Sequence, residues 1–265
     1  MLGQGLGTIA PWSTKYPSGG VGGSNNNGRK WWRLLTGITS DEDSEGGSQS
    51  ASSSNGDPGT LAGGDKINAW NGHDGTDKNF VQTTSADKPT YDGTEKAACK
   101  FSGSQFLDIN SDMGIASDSD FAIVVNFKCT NFDSARAIMG HDSNNVISLI
   151  DNKTIRAEIA GTARQFAEAS ITLATDQYYI LTLVRKNGAL TAYIRGGAYT
   201  VEEIWGSEIA SAAGALTISN LGASSDDTNN FVGFIKDVII YTTNDGGLNR
   251  ESNRMSLYNA IENKY

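Results

Sequence analysis

Alternation between apolar and polar side chains is the feature that most restricts what this chain can fold into. From Phe121 to Cys129 every second residue is a large apolar side chain or a cysteine, and the intervening set ends in Asn126 and Lys128. A shorter run of the same kind covers residues 97–101. Because successive side chains of a strand point to opposite faces of a sheet, both runs predict half-buried strands.

A hairpin is predicted where Asn187-Gly188 separates two apolar runs, at residues 178–185 and 190–195. Asn-Gly adopts the positive φ angles of a type I′ turn with little strain, so it is a strong short-range hairpin signal. The pair should therefore fix the register of the two strands.

The last part of the pattern is a strand expected from Phe231 to Tyr241, followed by a short helix that starts at Asn249. The helix has an apolar face formed by Leu257, Tyr258, Ile261 and Tyr265. Many strands, one late helix and no regular alternation of strands with helices predict an all-β antiparallel sandwich.

Two segments are poor in apolar residues. Residues 1–28 hold eight glycines and show no period of two or of 3.6, which is typical of an extended arm. Residues 40–64 are rich in Ser, Gly and Asp and are expected to form a long surface loop, because too little sequence precedes them to build another core. We therefore expect one sandwich over residues 29–265.

Charge is unevenly distributed along the chain. Residues 1–33 carry four Lys or Arg side chains and no Asp or Glu, whereas the whole chain has a formal net charge of −9. An acidic body disfavours binding to bulk nucleic acid or to an anionic membrane, but a basic arm can contact an acidic neighbour. The residues expected to anchor the chain in an assembly are Lys15, Arg29, Lys30, Trp31, Trp32 and Arg33.

Residues 29–33 mix cations with tryptophan rings, a combination that also suits single-stranded nucleic acid. We favour a first strand or an anchoring segment for them. No apolar run is long enough to span a membrane, and the first residues lack the pattern of a secretion signal. Cys99 and Cys129 lie in alternating runs, so we expect two small buried apolar residues and no disulfide.

Three stretches follow one another between residues 65 and 265. The first contains a tryptophan strand around Trp70, a Gln82-Thr83 turn, a Pro89-Thr90 pair and the strand Phe101-Ser102-Gly103-Ser104. The second is the hairpin at residues 183–196, and the third is the strand at 231–241 with Leu248 and the helix. Together they resemble the concanavalin A-like, laminin G-like jelly-roll domains.

The resemblance implies a jelly-roll sandwich with a short C-terminal helix and an extended N-terminal arm. In this family the same fold serves lectins, adhesion modules, glycan hydrolases and virion proteins, so the fold leaves the function open. Domains with this opening segment and no secretion signal resemble structural proteins of tailed bacteriophages. The expected function is therefore that of a non-enzymatic virion protein, a capsid decoration or cement protein or a tail protein, which forms homo-oligomers and whose arm contacts major capsid or tail subunits.

The alternative is a lectin-like module of a tail fibre or a cell-surface protein that binds a host surface glycan. Such binding needs exposed aromatic rings, and the candidates are Trp70, Tyr91, Tyr199 and Trp205. Trp70 fits a core position better, whereas Trp205 is expected in a loop. Trp205 and Tyr199 are therefore the candidate glycan-binding residues.

Catalytic patterns are missing from the sequence. The hydrolases of the superfamily that this chain resembles carry Glu-x-Asp-x-x-Glu or Glu-x-Asp-x-Glu, and no Glu here is followed two positions later by Asp. The acidic residues at 41–45 are interpreted as a solvated charge run. His73 and His141 are expected in turns, and no Gly-x-Ser-x-Gly motif accompanies them. We expect no enzymatic activity.

Metal binding has weak candidates. Two histidines and two buried cysteines match no zinc spacing. Calcium bound by loop oxygens is the one cofactor that stays open, and the oxygen-bearing residues in loops are Asp74, Asp77, Asp142, Asn144 and Asn145. We favour an ordinary turn-forming role for these side chains, and no metal is expected.

Overall fold

The computed structural model describes residues 29–33, 38–42, 47–50, 63–71, 79–95, 98–224 and 229–263. Within these residues the chain forms eighteen strands and one α-helix, which confirms the all-β prediction. The elements are β1 (Arg29–Arg33), β2 (Ile38–Glu42), β3 (Gly47–Ser50), β4 (Lys66–Asn71), β5 (Asn79–Val81), β6 (Thr90–Asp92), β7 (Ala98–Ser102), β8 (Leu107–Ile115), β9 (Phe121–Cys129), β10 (Arg136–Asp142), β11 (Asn145–Leu149), β12 (Thr154–Ile159), β13 (Thr162–Ala167), β14 (Tyr179–Lys186), β15 (Ala189–Gly196), β16 (Tyr199–Ile204), β17 (Leu216–Leu221), β18 (Val232–Tyr241) and α1 (Glu251–Glu262).

Antiparallel pairing arranges the strands in two sheets. The front sheet has the order β16-β15-β14-β9-β18-β7-β6. The back sheet has the order β3-β2-β4-β5-β8-β17-β10-β11-β12-β13. The sheets meet where Lys66 of β4 lies opposite Thr90 of β6. This is the antiparallel sandwich that the sequence predicts.

The hydrophobic core fills the space between the two sheets. Its fully buried side chains include Trp70, Phe80, Phe121 and Phe127. Cys99 of β7 and Cys129 of β9 belong to the same core, and both are free thiols. Burial raises the pKa of Cys99 well above its usual value and that of Cys129 to about 11, so both thiols are poor nucleophiles.

The outer face of the front sheet is half covered by α1. Leu257, Tyr258 and Ile261 of the helix pack on Ala122 and Val124 of the sheet and form a second apolar cluster. This cover buries Ala122 and Val124, and Asn126 and Lys128 beyond the helix are buried as well. All nine residues of β9 are therefore buried, and the prediction of a half-buried strand is wrong for β9. The helix, twelve residues long, is not long or apolar enough to cross a membrane.

The start of α1 differs from the expectation. Arg250, not Asn249, is the residue that precedes the helix, and its side chain makes no capping hydrogen bond. The backbone N–H groups of Asn253 and Arg254 donate to Arg250 O at 3.2 Å each, which begins the helix one residue later than expected. Leu257, Tyr258 and Ile261 are buried as expected, and Tyr265 lies outside the described residues.

The Asn187-Gly188 hairpin is confirmed. β14 and β15 pair from Tyr179 opposite Gly196 to Lys186 opposite Ala189. Asn187 and Gly188 have φ angles of 52° and 79°, as a type I′ turn requires.

β1 lies beside the second half of β18, with Arg29 opposite Tyr241 and Arg33 opposite Asp237. Residues 29–33 are therefore a strand of the sandwich. β2 and β3 pair with each other, and β2 pairs with β4. The loop expected at residues 40–64 is thus wrong for residues 40–42 and 47–50, where pairing supplies the backbone hydrogen bonds in a segment without apolar alternation. The rest of that segment up to residue 62 lies outside the described residues.

Candidate functional site

Trp205 is not the exposed ring that the sequence suggested. Its side chain is fully buried, and its indole Nε1 donates a hydrogen bond to Lys153 O at 2.8 Å. The backbone N–H of Trp205 also donates to Ala192 O of β15, so the chain continues along the sheet and the ring enters the core. The prediction that Trp205 binds a glycan is therefore wrong, because no face of the ring is accessible.

The other aromatic candidates are either buried in the core or held by neighbouring residues of the sandwich. Trp70 and Tyr91 are buried in the core, as expected for Trp70. Tyr199 is half-buried, and its ring centroid lies 6.2 Å from that of Tyr179. The Tyr199 hydroxyl accepts a hydrogen bond from the backbone N–H of Thr172 at 2.6 Å, so Tyr199 fixes the segment before β14.

The residues expected to anchor an assembly are only partly described. Lys15 lies outside the described residues. Arg29, Lys30, Trp31, Trp32 and Arg33 are the five residues of β1, for which the structure describes the backbone pairing with β18. Their part in assembly stays a prediction.

The described loop residues that were considered for calcium form hydrogen bonds within their own turn. Asp142 Oδ1 accepts hydrogen bonds from the backbone N–H of Asn144 at 3.0 Å and from Asn145 Nδ2 at 2.9 Å. Asp74 and Asp77 lie outside the described residues. In the part of the chain that the structure describes, no three His, Cys, Asp or Glu side chains are grouped in a way that could hold a metal ion.

One constellation on the back sheet has the composition of a nucleophile site. His141 Nδ1 lies 3.0 Å from Ser219 Oγ, and Asp112 Oδ2 lies 4.0 Å from the same nitrogen. Asn220 Nδ2 donates to Asp108 Oδ1, so Asn220 Oδ1 faces Ser219 Oγ at 2.6 Å and can only accept. Ser219 must then donate to Asn220, and His141 must donate to Ser219, so this imidazole cannot act as a base toward the hydroxyl.

A pocket of about 380 Å³ lies on the outer face of the front sheet, beside the last turn of α1. This volume falls within the range of about 300–1,000 Å³ that is usual for small-molecule sites. We call it the Tyr178 pocket, and it is lined by Thr94, Glu95, Asn126, Tyr178, Ile180, Gly196, Lys236, Ile261 and Glu262.

The order of side chains along β9 explains where this pocket forms. The outward-facing residues are first Ala122 and Val124, which α1 covers, and then Asn126 and Lys128. The helix ends at Glu262, so the polar half of the face is left beside it. Gly196 permits the close approach of β15, because a Cβ there would lie 2.5 Å from Tyr178 O.

Cations and an aromatic ring form one side of the pocket. Lys236 Nζ lies 3.8 Å and Lys128 Nζ 5.2 Å from the centroid of the Tyr178 ring. Lys128 Nζ also donates to Glu95 Oε1 at 2.6 Å. Burial and the nearby Glu95 carboxylate raise the pKa of Tyr178, so its hydroxyl is neutral. That hydroxyl is buried and lies next to the Glu95 carboxylate.

The remaining polar groups are held by partners next to the pocket. Asn126 Nδ2 donates to Asp237 Oδ2 at 3.3 Å. Glu262 accepts two hydrogen bonds from Arg195, at 2.7 Å from Nε and 2.9 Å from Nη2. The pocket therefore combines fixed carboxylate, amide and ammonium groups with the half-buried ring of Tyr178, and Ile180 and Ile261 beneath them are almost fully buried.

Sequence reasoning did not select these pocket residues. The signal that pointed to them is the change along β9 from apolar to polar outward-facing residues, which ends in Asn126 and Lys128. Glu95, Tyr178 and Glu262 come from segments far apart in the chain, and no local pattern joins them. Only the strand order brings them together.

Comparison with known proteins places the fold. Residues 101–244, slightly more than half of the chain, match the family model described as the concanavalin A-like lectin/glucanases superfamily. No protein of curated function matches the chain significantly. An arabinofuranosidase complexed with arabinofuranosyl-α-1,2-xylobiose superposes with a TM-score of 0.60 at 10% identity, over 88% of this chain and 59% of that chain. This chain thus spans well under two thirds of that enzyme.

Two further solved structures match slightly more than half of the chain at lower TM-scores. Domain 4 of AbnA, a GH43 extracellular arabinanase from Geobacillus stearothermophilus, in complex with arabinotriose, is 21% identical with a TM-score of 0.41, over 56% of this chain and 71% of that domain. The CBM40 of the Ruminococcus gnavus IT-sialidase, bound to α2,3-sialyllactose, is 11% identical with a TM-score of 0.34, over 55% and 89% of the two chains. At these identities the likeness concerns the fold alone.

Proposed function

This chain belongs to the concanavalin A-like lectin/glucanases superfamily, and from that membership we propose that it is a non-enzymatic carbohydrate-binding module whose binding site is the Tyr178 pocket. The observation that supports the proposal is the pocket itself. It joins an aromatic residue, an amide, an ammonium and two carboxylates around apolar surface. Sugars present hydroxyl groups that both donate and accept, together with apolar C–H faces, and this lining matches both features.

Binding without cleavage is favoured by how the two pocket carboxylates are held. Glu95 is paired with Lys128, and Glu262 is paired with Arg195. A glycoside hydrolase uses two carboxyl groups that flank the scissile bond and act on the sugar, whereas each pocket carboxylate here is engaged by a cation of the protein itself.

The test is a binding measurement with a defined panel of sugars. Arabinotriose, arabinofuranosyl-α-1,2-xylobiose and α2,3-sialyllactose are suitable members, because they occupy proteins with a related fold. A glycan array followed by calorimetry should give binding by the wild-type chain without release of reducing sugar. Absence of binding to every member at millimolar concentration would count against the function, and release of reducing sugar against its non-enzymatic character.

A matched pair of variants locates the site. Thr94 lines the pocket and is exposed, so Thr94→Trp fills the opening, whereas Thr162→Trp places the same side chain at an exposed position on β13 of the back sheet. Thr94→Trp should weaken binding at least ten-fold and Thr162→Trp should leave it unchanged. Equal affinity of the two variants would move the site away from the Tyr178 pocket.

We also propose that the chain serves as a structural protein of a bacteriophage virion, as a decoration or cement protein of the capsid or as a tail component. The observation that favours this role is the charge distribution, with a basic segment of residues 1–33 on an otherwise acidic chain. Such a segment suits contact with acidic neighbouring subunits. Surface glycan binding and a place on a virion are compatible roles for one protein.

Deletion of residues 1–28 tests the anchoring role. The deletion keeps β1, so the sandwich retains the strand that pairs with β18. The shortened protein should fold and should be incorporated into particles far less than the full chain. Normal incorporation would show that these residues do not anchor the protein.

A further inference from the structure

One wall of the Tyr178 pocket belongs to a helix and not to the sheets. Ile261 and Glu262 are the last two residues of α1, and both line the pocket. The other walls come from β9, from the middle of β18, from the start of β14 and the end of β15, and from the turn that holds Thr94. The position of α1 on the sheet therefore sets the width of the pocket.

A buried ion pair holds α1 on the sheet two turns away from that wall. Arg254 Nε and Nη2 donate to the two oxygens of Glu202 on β16, each at 2.6 Å, and the two side chains are 5% and 6% exposed. Tyr258 Oη lies 2.6 Å from Glu202 Oε2 and 2.9 Å from Thr182 Oγ1. Since the carboxylate can only accept, Tyr258 donates to Glu202 and accepts from Thr182. We call Arg254, Glu202 and Tyr258 the helix latch.

Loss of one member of the helix latch should strongly destabilise the docked position of α1. Removing the charge of Arg254 leaves the Glu202 carboxylate buried without its cation, and a buried charge without a partner is much less stable than a complete pair. Hydrogen bonding to Glu202 and the attraction of its charge outweigh burial and raise the pKa of Arg254, so Arg254 is charged whenever the latch is closed. Loss of the pair therefore favours conformations in which α1 leaves the sheet.

Arg254 and the pocket are too far apart for direct contact. Ile261 lies seven positions after Arg254, a rise of roughly 10 Å along an α-helix. None of the three latch residues lines the pocket. Any effect of the latch on binding must therefore be indirect, through the position of the helix or through Arg195, which lies over the Tyr258 ring and pairs with Glu262.

We infer that the Tyr178 pocket is complete only while α1 is docked, and that Arg254 and Glu202 are positioning residues for a ligand that they do not touch. The inference rests on the proposed function, because it assumes that the pocket binds a sugar. A sugar that contacts the helix wall binds only the docked state and so stabilises docking. If the open latch leaves one molecule in ten docked, the apparent affinity falls ten-fold.

The experiment compares two buried arginines in the full-length chain. Arg254→Met opens the latch, and Arg164→Met is the matched control, because Arg164 is a buried guanidinium on β13 of the back sheet that donates to backbone carbonyls. Hydrogen exchange, measured by mass spectrometry without sugar, should become faster across residues 251–262 in Arg254→Met only. Glu202→Gln, which removes the charge but keeps the side-chain volume, replaces Arg254→Met if that variant does not fold.

Calorimetry with the tightest-binding sugar of the panel gives the second measurement. Arg254→Met should bind at least ten-fold more weakly than wild type, and Arg164→Met should bind within two-fold of it. Unchanged affinity in Arg254→Met despite faster helix exchange would overturn the inference, and unchanged exchange in residues 251–262 would overturn the latch itself. Failure of the wild-type chain to bind any sugar would instead overturn the proposed function, and the exchange data would still decide whether the latch holds the helix.

Discussion

Replacing Gly188 by alanine should lower the stability of the sandwich through backbone strain alone. Gly188 has a φ angle of 79°, and a Cβ built on it meets no atom within 4 Å. Steric overlap therefore contributes nothing to the cost. The turn is also braced by Asp120, whose Oδ1 accepts the backbone N–H of Asn187 at 2.7 Å, so the turn cannot relax without losing that hydrogen bond.

The magnitude follows from two opposing effects. A left-handed conformation costs an L-residue about 1–2 kcal/mol. Replacing Gly by Ala also restricts the unfolded chain, which stabilises the folded state by roughly 0.4–1 kcal/mol. The net effect at Gly188 is a loss of stability of about 0–1.6 kcal/mol. Valine at this position adds a β-branched side chain and should cost roughly 1–3 kcal/mol.

Gly114 offers a control that separates the two effects. It is exposed on β8, its φ angle lies outside the left-handed range, and a Cβ there also meets nothing within 4 Å. Gly114→Ala changes the unfolded chain in the same way without the strain. The difference in free energy of unfolding between the two variants should be about 1–2 kcal/mol, measured by urea denaturation, and Tm should differ by about 2–8 °C. Equal stabilities would show that the turn at Gly188 is not strained for alanine.

Three other outcomes are expected. Tyr199→Phe removes a hydroxyl that accepts a hydrogen bond from the backbone N–H of Thr172 and should cost about 1 kcal/mol, measured by calorimetric melting. Arg185→Met should lower the free energy of unfolding by at least about 3 kcal/mol in urea denaturation, because this buried guanidinium donates to four backbone carbonyls that would lose their partner. A smaller loss would mean that the loops that carry these carbonyls rearrange. Burial raises the pKa of Asp120, but hydrogen bonds from Lys186 and the turn backbone lower it below its ordinary value of 3.8. The stabilisation from Asp120 is therefore complete above pH 3.8 and is lost as the pH falls through the lower pKa of the folded state. Asp120→Asn should be less stable than wild type at neutral pH, and the difference in their free energies of unfolding should shrink in acid.

The sequence predicts the strands better than it predicts the site. Alternation located β9 and the strand that ends at Tyr241, and Asn187-Gly188 located the hairpin, because those signals are local. The prediction that Trp205 is exposed was wrong. The residues around a single aromatic side chain do not reveal that its backbone continues along a sheet. Burial depends on which strands become neighbours, and that is a property of the whole fold.

The residues of the Tyr178 pocket could not be predicted from local sequence patterns either. Tyr178 precedes a strand, Glu95 lies in a turn, and Glu262 ends a helix. No spacing in the sequence relates these three residues. The polar end of β9 indicates the half of the sheet that α1 does not cover. This can be recognised only when the position of the apolar face of α1 on Ala122 and Val124 is known.

The helix wall of the pocket also has a consequence for the order of folding. Asn126 and Ile261 line the same pocket although more than a hundred residues separate them in the chain. Contacts of such long sequence separation require closure of a long loop and are slow to form. The sandwich can pair its strands before α1 is in place, so the pocket should be among the last features to form. Recovery of sugar binding during refolding would then lag behind recovery of the sheet, and binding would report complete folding where a spectroscopic measure of β structure would not.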